Sequence, residues 1–149
     1  MQPRPEDVST LDGIIRAYYE VVSGPAGVPR QVARDHTLHH PDALVAITGL
    51  NASGEPTIRT MTLAEYHGGP SEPAEGFYEQ EIHREVQTFG SVTHVWSTYE
   101  WRREPDGAVQ GRGINSIQLY FDGERWWITS WIFDSERPGN PIPPEYSAR

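Results

Sequence analysis

Four long β-like segments in the second half of the chain restrict its fold more than any other feature. They span residues 77–89, 92–103, 112–121 and 125–133, and their connections contain Gly90-Ser91, Glu104-Pro105-Asp106-Gly107 and Asp122-Gly123. Asp-Gly between apolar segments is the strongest short signal for a β-hairpin. Strands joined in this way pair with their neighbours in the chain, so the sequence predicts a long antiparallel meander.

The first half of the chain predicts helices and two short strands. An apolar stripe at helical spacing predicts one long helix over residues 7–22, formed by Val8, Leu11, Ile15, Tyr18 and Val22. Ser23-Gly24-Pro25 ends this helix. Short helices are predicted over residues 29–35 and after the capping box Thr62-Leu63-Ala64-Glu65, with strands over residues 43–50 and 57–61 between them.

Helices followed by a long sheet give an α+β class. The apolar stripe of the first helix needs a partner, and the concave face of a curved sheet is available to cover it. We therefore expect one domain over residues 1–149, a cone-like, cystatin-like α+β roll in which a strongly curved antiparallel sheet wraps around the long N-terminal helix beside two short helices. Such a cone leaves a cavity at its open end.

Composition excludes several classes of function. The chain has no cysteine, which rules out disulfides and thiolate chemistry. Its 21 acidic and 12 basic side chains give a net charge of −9, which repels a nucleic-acid backbone. No apolar segment reaches the ~20 residues of a membrane helix, and the N-terminus lacks the pattern of a secretory signal. We expect a cytoplasmic protein without nucleic-acid or membrane partners.

Five motifs carry a family resemblance. They are Tyr18-Tyr19-Glu20-Val21-Val22-Ser23-Gly24, His40-Pro41-Asp42-Ala43, Leu63-Ala64-Glu65-Tyr66, Gly113-Ile114-Asn115-Ser116-Ile117-Gln118 and Asp122-Gly123-Glu124-Arg125-Trp126-Trp127-Ile128. In order and spacing they resemble the nuclear transport factor 2-like superfamily, which includes ketosteroid isomerase-like and SnoaL-like proteins, and most of all its bacterial members of unassigned activity. The resemblance implies a cone with an internal pocket and a homodimer that packs through the outer face of the sheet.

The resemblance does not imply isomerase chemistry. In ketosteroid isomerase-like members, a tyrosine of the first helix stabilises an oxyanion and an aspartate of the first strand acts as base. Tyr18 or Tyr19 matches the tyrosine. The position of the base falls near Ile47 and Thr48, neither of which can act as a base, and Asn115 lies where a later strand of the family carries an acid.

Three histidines, His36, His39 and His40, precede the first predicted strand in a loop at the expected mouth of the pocket. Histidine is a suitable general base near neutral pH, so His39 and Tyr19 are the candidate catalytic residues. Alternatively, the three histidines are exposed or serve as hydrogen-bonded structural residues. Their spacing is not a common metal-ligand pattern and no phosphate-binding glycine loop is present, so we expect neither a metal nor a cofactor.

The candidate ligand-binding residues are the remaining polar and aromatic side chains near the predicted pocket: Tyr18, His36, His40, Tyr66, Trp96, Tyr99, Asn115 and Trp131. Alternate residues of a strand share a face, which places Trp96 and Tyr99 on opposite faces of the sheet. Parity alone leaves open which face lines the pocket, and a β-bulge would reverse the assignment. The aromatic residues suit an ordinary core equally well.

Three functions remain open. The first is a domain that binds a small, largely apolar organic molecule without a cofactor. The second is an acid–base isomerase, dehydratase or hydrolase. The third is a dimerisation module whose cavity is filled by its own side chains.

Overall fold

The computed structural model describes residues 1–147 and contains four helices, six strands and a short 3-10 turn. The helices are α1 (Pro5–Val8), α2 (Leu11–Glu20), α3 (Val32–Leu38) and α4 (Leu63–His67). The strands are β1 (His39–Leu50), β2 (Pro56–Thr62), β3 (Tyr78–Phe89), β4 (Val92–Arg102), β5 (Val109–Phe121) and β6 (Trp126–Ser135), and the 3-10 turn is Pro144–Tyr146. The predicted domain, residues 1–149, ends with two residues that lie outside this description.

All six strands belong to one sheet with the order β2-β1-β6-β5-β4-β3. The predicted meander β3-β4-β5-β6 is antiparallel throughout. The prediction of a wholly antiparallel sheet is wrong, because β1 pairs with β6 in parallel. Hairpin signals report only pairs that are close in the chain, and β1 and β6 lie at opposite ends of it. The architecture is therefore α+β with a mixed sheet.

The long N-terminal helix predicted over residues 7–22 is two helices. The hydroxyl of Thr10 accepts a hydrogen bond from the backbone N–H of Gly13 at 2.9 Å and caps a new helix, α2. The two helices meet closely, since a Cβ on Gly13 would lie 2.2 Å from the carbonyl oxygen of Glu6. The apolar stripe survives the break, because Val8, Ile15 and Tyr18 are all buried.

The second correction concerns the loop predicted around His36, His39 and His40. Helix α3 runs to Leu38, three residues beyond its predicted end, and β1 begins at His39. The strand starts early because His39 already pairs with Ile128 of β6, and a register shift before Leu44 accommodates Pro41, which has no N–H to donate. None of the three histidines therefore lies in a loop.

One face of the sheet covers the helices and the other faces outward. Val45, Val95, Ile117 and Ile128 are fully buried beneath α2. A register shift opposite Gln118 and Leu119 places both Ile128 and Trp131 of β6 in the core, although strict alternation would separate them. The concave face is consequently the one that carries Val95 and Tyr99, and Trp96 lies on the outer face.

The capping box of Thr62 and Glu65 forms as predicted, with both reciprocal hydrogen bonds present. On the outer face of the sheet, residues of the C-terminal segment 140–146 line a cleft together with Trp96, Ile114 and Ile132. Within residues 1–147, none of the helices has the length and apolar character needed to cross a membrane.

Candidate functional site

A cavity of about 120 Å³ lies between the concave face of the sheet and the helices, and we call it the inner cavity. Ten residues from seven elements and their flanking segments line it: Tyr18, Val22, Asp35, Tyr66, Phe77, Glu79, Tyr99, Asn115, Trp131 and Phe133. Five of the ten predicted site residues are among them, namely Tyr18, Tyr66, Tyr99, Asn115 and Trp131. Two acidic residues, Asp35 and Glu79, were not predicted.

Tyr19, predicted as catalytic, does not line the inner cavity. Its hydroxyl accepts a hydrogen bond from the Asn115 amide at 2.9 Å and lies 2.7 Å from the Ser97 hydroxyl. Ser97 donates its proton to the carboxylate of Glu81 at 2.5 Å, so Tyr19 must donate to Ser97. This chain of hydrogen bonds occupies the hydroxyl proton of Tyr19 and ties α2 to three strands. Burial raises the pKa of Tyr19 well above its ordinary value.

His39, the second predicted catalytic residue, lies behind Trp131. The indole N–H of Trp131 donates to Nε2 of His39 at 3.0 Å, and Nδ1 of His39 donates to the backbone carbonyl of Asp35 at 3.0 Å. These partners require a neutral ring with its proton on Nδ1. Both nitrogens are engaged, which leaves no free lone pair for a general base. His39 instead fixes the positions of Trp131 and Asp35, which do line the cavity.

Asp35 is a buried carboxylate held between two histidines. His67 donates from Nε2 to Oδ2 of Asp35 at 2.7 Å, and Nδ1 of His39 lies 3.3 Å from Oδ1. Burial alone would raise the pKa of Asp35, but the interactions with His39 and His67 outweigh it and hold the pKa below its usual range. Oδ1 is buried and makes no hydrogen bond within residues 1–147.

Glu79 is a carboxyl of the cavity whose pKa is strongly raised. Burial raises the pKa of its carboxyl to about 8, so the group is mostly protonated at neutral pH. The backbone N–H of Glu79 donates to the hydroxyl of Ser23 at 3.0 Å, and a pair of backbone hydrogen bonds joins Gly24 to Phe77. These bonds fasten the first residues of β3 to the end of α2 and aim Glu79 inward.

Glu79 also lines a second space, a cleft of about 430 Å³ between α2 and the start of β3. The carboxyl therefore stands in the wall between the inner cavity and a cleft at the surface. The sequence contains one signal that could have placed Glu79 in the cavity, since strand alternation puts it on the same face as Phe77. A pattern search for paired acids or histidines does not detect a single glutamate in a strand.

Three predicted site residues lie away from the inner cavity. His36 is exposed on α3, with its ring 6.0 Å from that of His67. His40 packs against Trp127 and accepts a hydrogen bond from the backbone N–H of Asp42. Trp96 lies on the outer face, where its ring packs edge to face on Tyr146 at 6.1 Å.

Comparison with known proteins supports the fold alone. No protein-family model matches the chain, and no curated protein matches it. A solved structure similar to this chain comes from Exiguobacterium sibiricum 255-15 and is described as a presumed Ca/calmodulin-dependent kinase II association domain. The TM-score is 0.54 and the identity 13%, over 93% of this chain and 98% of the other. The two proteins share a fold, and at this identity nothing further follows.

Proposed function

We propose that this chain is a nuclear transport factor 2-like domain that binds a small organic molecule in the inner cavity. One observation carries the proposal. The hydroxyls of Tyr18 and Tyr66 and the carboxyl of Glu79 belong to side chains that line one cavity, and none of the three has a hydrogen-bond partner within residues 1–147. Tyr18 is 8% exposed, and Tyr66 and Glu79 are half-buried.

Each unpaired polar group in an apolar setting destabilises the folded protein by about 1–3 kcal/mol unless a ligand or an ordered water forms hydrogen bonds with it. A convergence of such groups among aromatic walls is typical of small-molecule sites. Asn115 of the same cavity differs from these three groups, because its amide donates to the Tyr19 hydroxyl, which is also paired with Ser97.

An acid–base enzyme is the second candidate, and Glu79 favours it. A carboxyl with a pKa of about 8 can donate and accept a proton near neutral pH. In such an enzyme Glu79 would be the general acid, with Tyr18 as its neighbour in the cavity. Tyr19 and His39 would then be positioning residues, because their polar atoms are already engaged.

A homodimer through the outer face remains part of the proposal. Leu44, Ile58 and Ile132 are apolar and exposed there, with 53%, 60% and 37% of their surfaces accessible. A stripe of this kind is common at interfaces between protein chains. The similar structure is described as an association domain, a name that suits a self-associating fold. The third candidate, a dimerisation module whose own side chains fill the cavity, is disfavoured because the inner cavity has open volume.

Native mass spectrometry of the freshly purified protein tests the proposal. We expect a mass near twice that of the 16.8 kDa chain, together with a small component that denaturation releases. The released component would then be identified by its own mass. A protein that carries nothing and binds no member of a small-molecule panel would contradict the proposal, and an exclusively monomeric protein would contradict the dimer.

A further inference from the structure

We propose that the ligand of the inner cavity is a small organic cation, an alkylated ammonium that lies among aromatic rings beside the carboxylate of Asp35. This inference rests on the proposed function and names the chemical class of the ligand. Of the ten side chains from residues 1–147 that line the cavity, six are aromatic, two are acidic and none is basic. A neutral apolar ligand would need the aromatic walls but has no use for two carboxyls.

The aromatic walls have the geometry of a cation site. The rings of Tyr18 and Tyr66 stand at 79° and 85° to the ring of Trp131, with centroids 6.2 and 5.0 Å away. The rings of Tyr18 and Tyr66 are thus each nearly perpendicular to the ring of Trp131, and all three residues line the cavity. The face of an aromatic ring is negative and attracts a cation that lies within about 6 Å of its centre, with Trp the strongest partner.

Asp35 supplies the fixed negative charge. Its side chain is 4% exposed, and one of its oxygens, Oδ1, is buried without a hydrogen bond within residues 1–147. His39 and His67 hold the carboxyl in its ionised form. A buried carboxylate with an unsatisfied oxygen is unfavourable unless a positive group lies near it. The near partners of this carboxylate are the rings of His39 and His67, and no lysine or arginine of residues 1–147 lines the cavity, so a cationic ligand would supply the positive charge that the lining residues lack.

Glu79 adds a second carboxyl whose charge depends on the occupant. In the empty cavity, burial keeps the group mostly protonated at neutral pH. An adjacent cation stabilises the ionised form and lowers the pKa, so binding would release a proton and strengthen the attraction. Burial is the main cause that raises the pKa values of Tyr18 and Tyr66, and Glu79 and Asp35 raise both pKa values further.

The volume of the inner cavity and the coordination needs of metal ions narrow the chemical class of the ligand. A dry protein cavity of roughly 150 Å³ holds one benzene molecule, so the inner cavity, at about 120 Å³, suits a trimethylammonium group and excludes a steroid. A metal ion is a poor fit, because calcium and magnesium require six or more oxygen ligands. The described residues also contain no group of three or more acidic or histidine side chains arranged for a metal.

The test compares choline with its neutral isostere 3,3-dimethyl-1-butanol by isothermal titration calorimetry on the full chain, at matched ionic strength. We expect choline to bind at least about tenfold more tightly, the factor that 1.4 kcal/mol of charge-dependent attraction produces. Glu79→Gln should reduce choline affinity about fivefold or more, since it removes the second carboxyl without changing the shape. Glu85→Gln is the matched control, because it replaces a carboxyl on the outer face of the same strand and should leave the affinity unchanged.

The variant Asp35→Asn should have the larger effect, but its contacts with two histidines make it a risk for folding, and Glu79→Gln does not share that risk. Equal binding of choline and the neutral alcohol, or unchanged choline binding in Glu79→Gln, overturns the assignment of a cation while small-molecule binding stands. If neither compound binds and native mass spectrometry finds no released component, the cation assignment and the proposed function fail together.

Discussion

The rings of Tyr18 and Tyr19 meet edge to face, with centroids 5.0 Å apart and planes at 88°. Consecutive helical residues point about 100° apart, and here the difference separates two roles. Tyr18 lines the inner cavity, whereas Tyr19 is tied to Asn115 and Ser97 in a completed network. Two residues that look interchangeable in the sequence are thus a candidate ligand contact and a structural anchor.

Substitution of each tyrosine by phenylalanine should separate these roles. Tyr19→Phe removes the acceptor of the Asn115 amide and one of the two partners of the Ser97 hydroxyl, and it should lower the free energy of unfolding by about 1–3 kcal/mol. Tyr18→Phe should change stability by less than ~0.5 kcal/mol but weaken ligand binding roughly fivefold. Urea denaturation and calorimetry measure the two effects. The reverse pattern would show that Tyr19, not Tyr18, faces the ligand.

His39 should behave as a structural residue. His39→Leu removes the acceptor of the Trp131 indole and a partner of Asp35, and we expect a loss of about 2–4 kcal/mol in the free energy of unfolding. The neighbouring His40 is half-buried and makes fewer contacts, so His40→Leu should cost less than about 1 kcal/mol. Equal stability of the two variants in urea would contradict the role assigned to His39.

The raised pKa of Glu79 predicts an unusual dependence of stability on pH. The pKa of its carboxyl is about 4.3 in the unfolded chain and about 8 in the folded protein. Between these values the folded protein binds more protons, so the contribution of Glu79 to stability falls as the pH rises from about 4.5 to about 8. Glu79→Gln removes this loss, and at pH 8.5 the variant should be more stable than the parent by about 2–4 kcal/mol.

Thermal and urea unfolding of both proteins at pH 4.5 and pH 8.5 measure this difference. Other carboxyls with lowered pKa values, such as Asp7 and Asp35, titrate in both proteins, so the comparison isolates Glu79. Tyr18, Tyr19, Tyr66 and Tyr99 are close enough for Glu79 to raise their pKa values, but these phenols stay protonated over the whole range. A pH-independent difference between the two proteins would show that Glu79 is ionised when folded.

The junction of α1, α2 and α3 depends on a buried ion pair. Arg34 donates to both carboxylate oxygens of Asp7 at 2.8 Å and also to Glu20 at 2.8 Å. Asp7 is completely buried, so Arg34→Met leaves its charge uncompensated and should cost about 3–5 kcal/mol. The double variant Asp7→Leu with Arg34→Met should recover most of that loss. Arg16→Met, at an exposed position of α2, is the control and should have little effect in chemical denaturation.

The exposed apolar residues of the outer face predict which substitution should disrupt the proposed homodimer. Ile132→Glu places a charge among exposed apolar residues of this face and should convert a dimer to a monomer in size-exclusion chromatography with light scattering. Val86→Glu, at a similarly exposed position near the end of the edge strand β3, should leave the dimer intact. Circular dichroism confirms that both variants are folded. A dimer that persists in Ile132→Glu must use another surface.

Local signals predicted the elements well and the long-range contacts poorly. The strand bounds of β3, β4 and β6 were predicted to within two residues, and the capping box at Thr62 formed as expected. The break between α1 and α2 was missed because an apolar stripe continues across it, and hydrophobic periodicity outweighed the capping signal of Thr10. Among the predicted site residues, the aromatic and amide candidates of the concave face line the inner cavity together. The three histidines that were predicted to lie in a loop do not line it.

The sequence by itself determined the class of the fold and the identity of the hairpins, because strand alternation, turn residues and helix caps depend on neighbours a few positions away. Gly90 and Gly123 both adopt positive φ angles at the turns where the sequence placed them. Only the tertiary structure decided that β1 runs parallel to β6, that both ring nitrogens of His39 are hydrogen-bonded and that burial raises the pKa of Glu79. Those properties arise from burial and from partners up to 92 residues away in the chain, and no local pattern of residues records them.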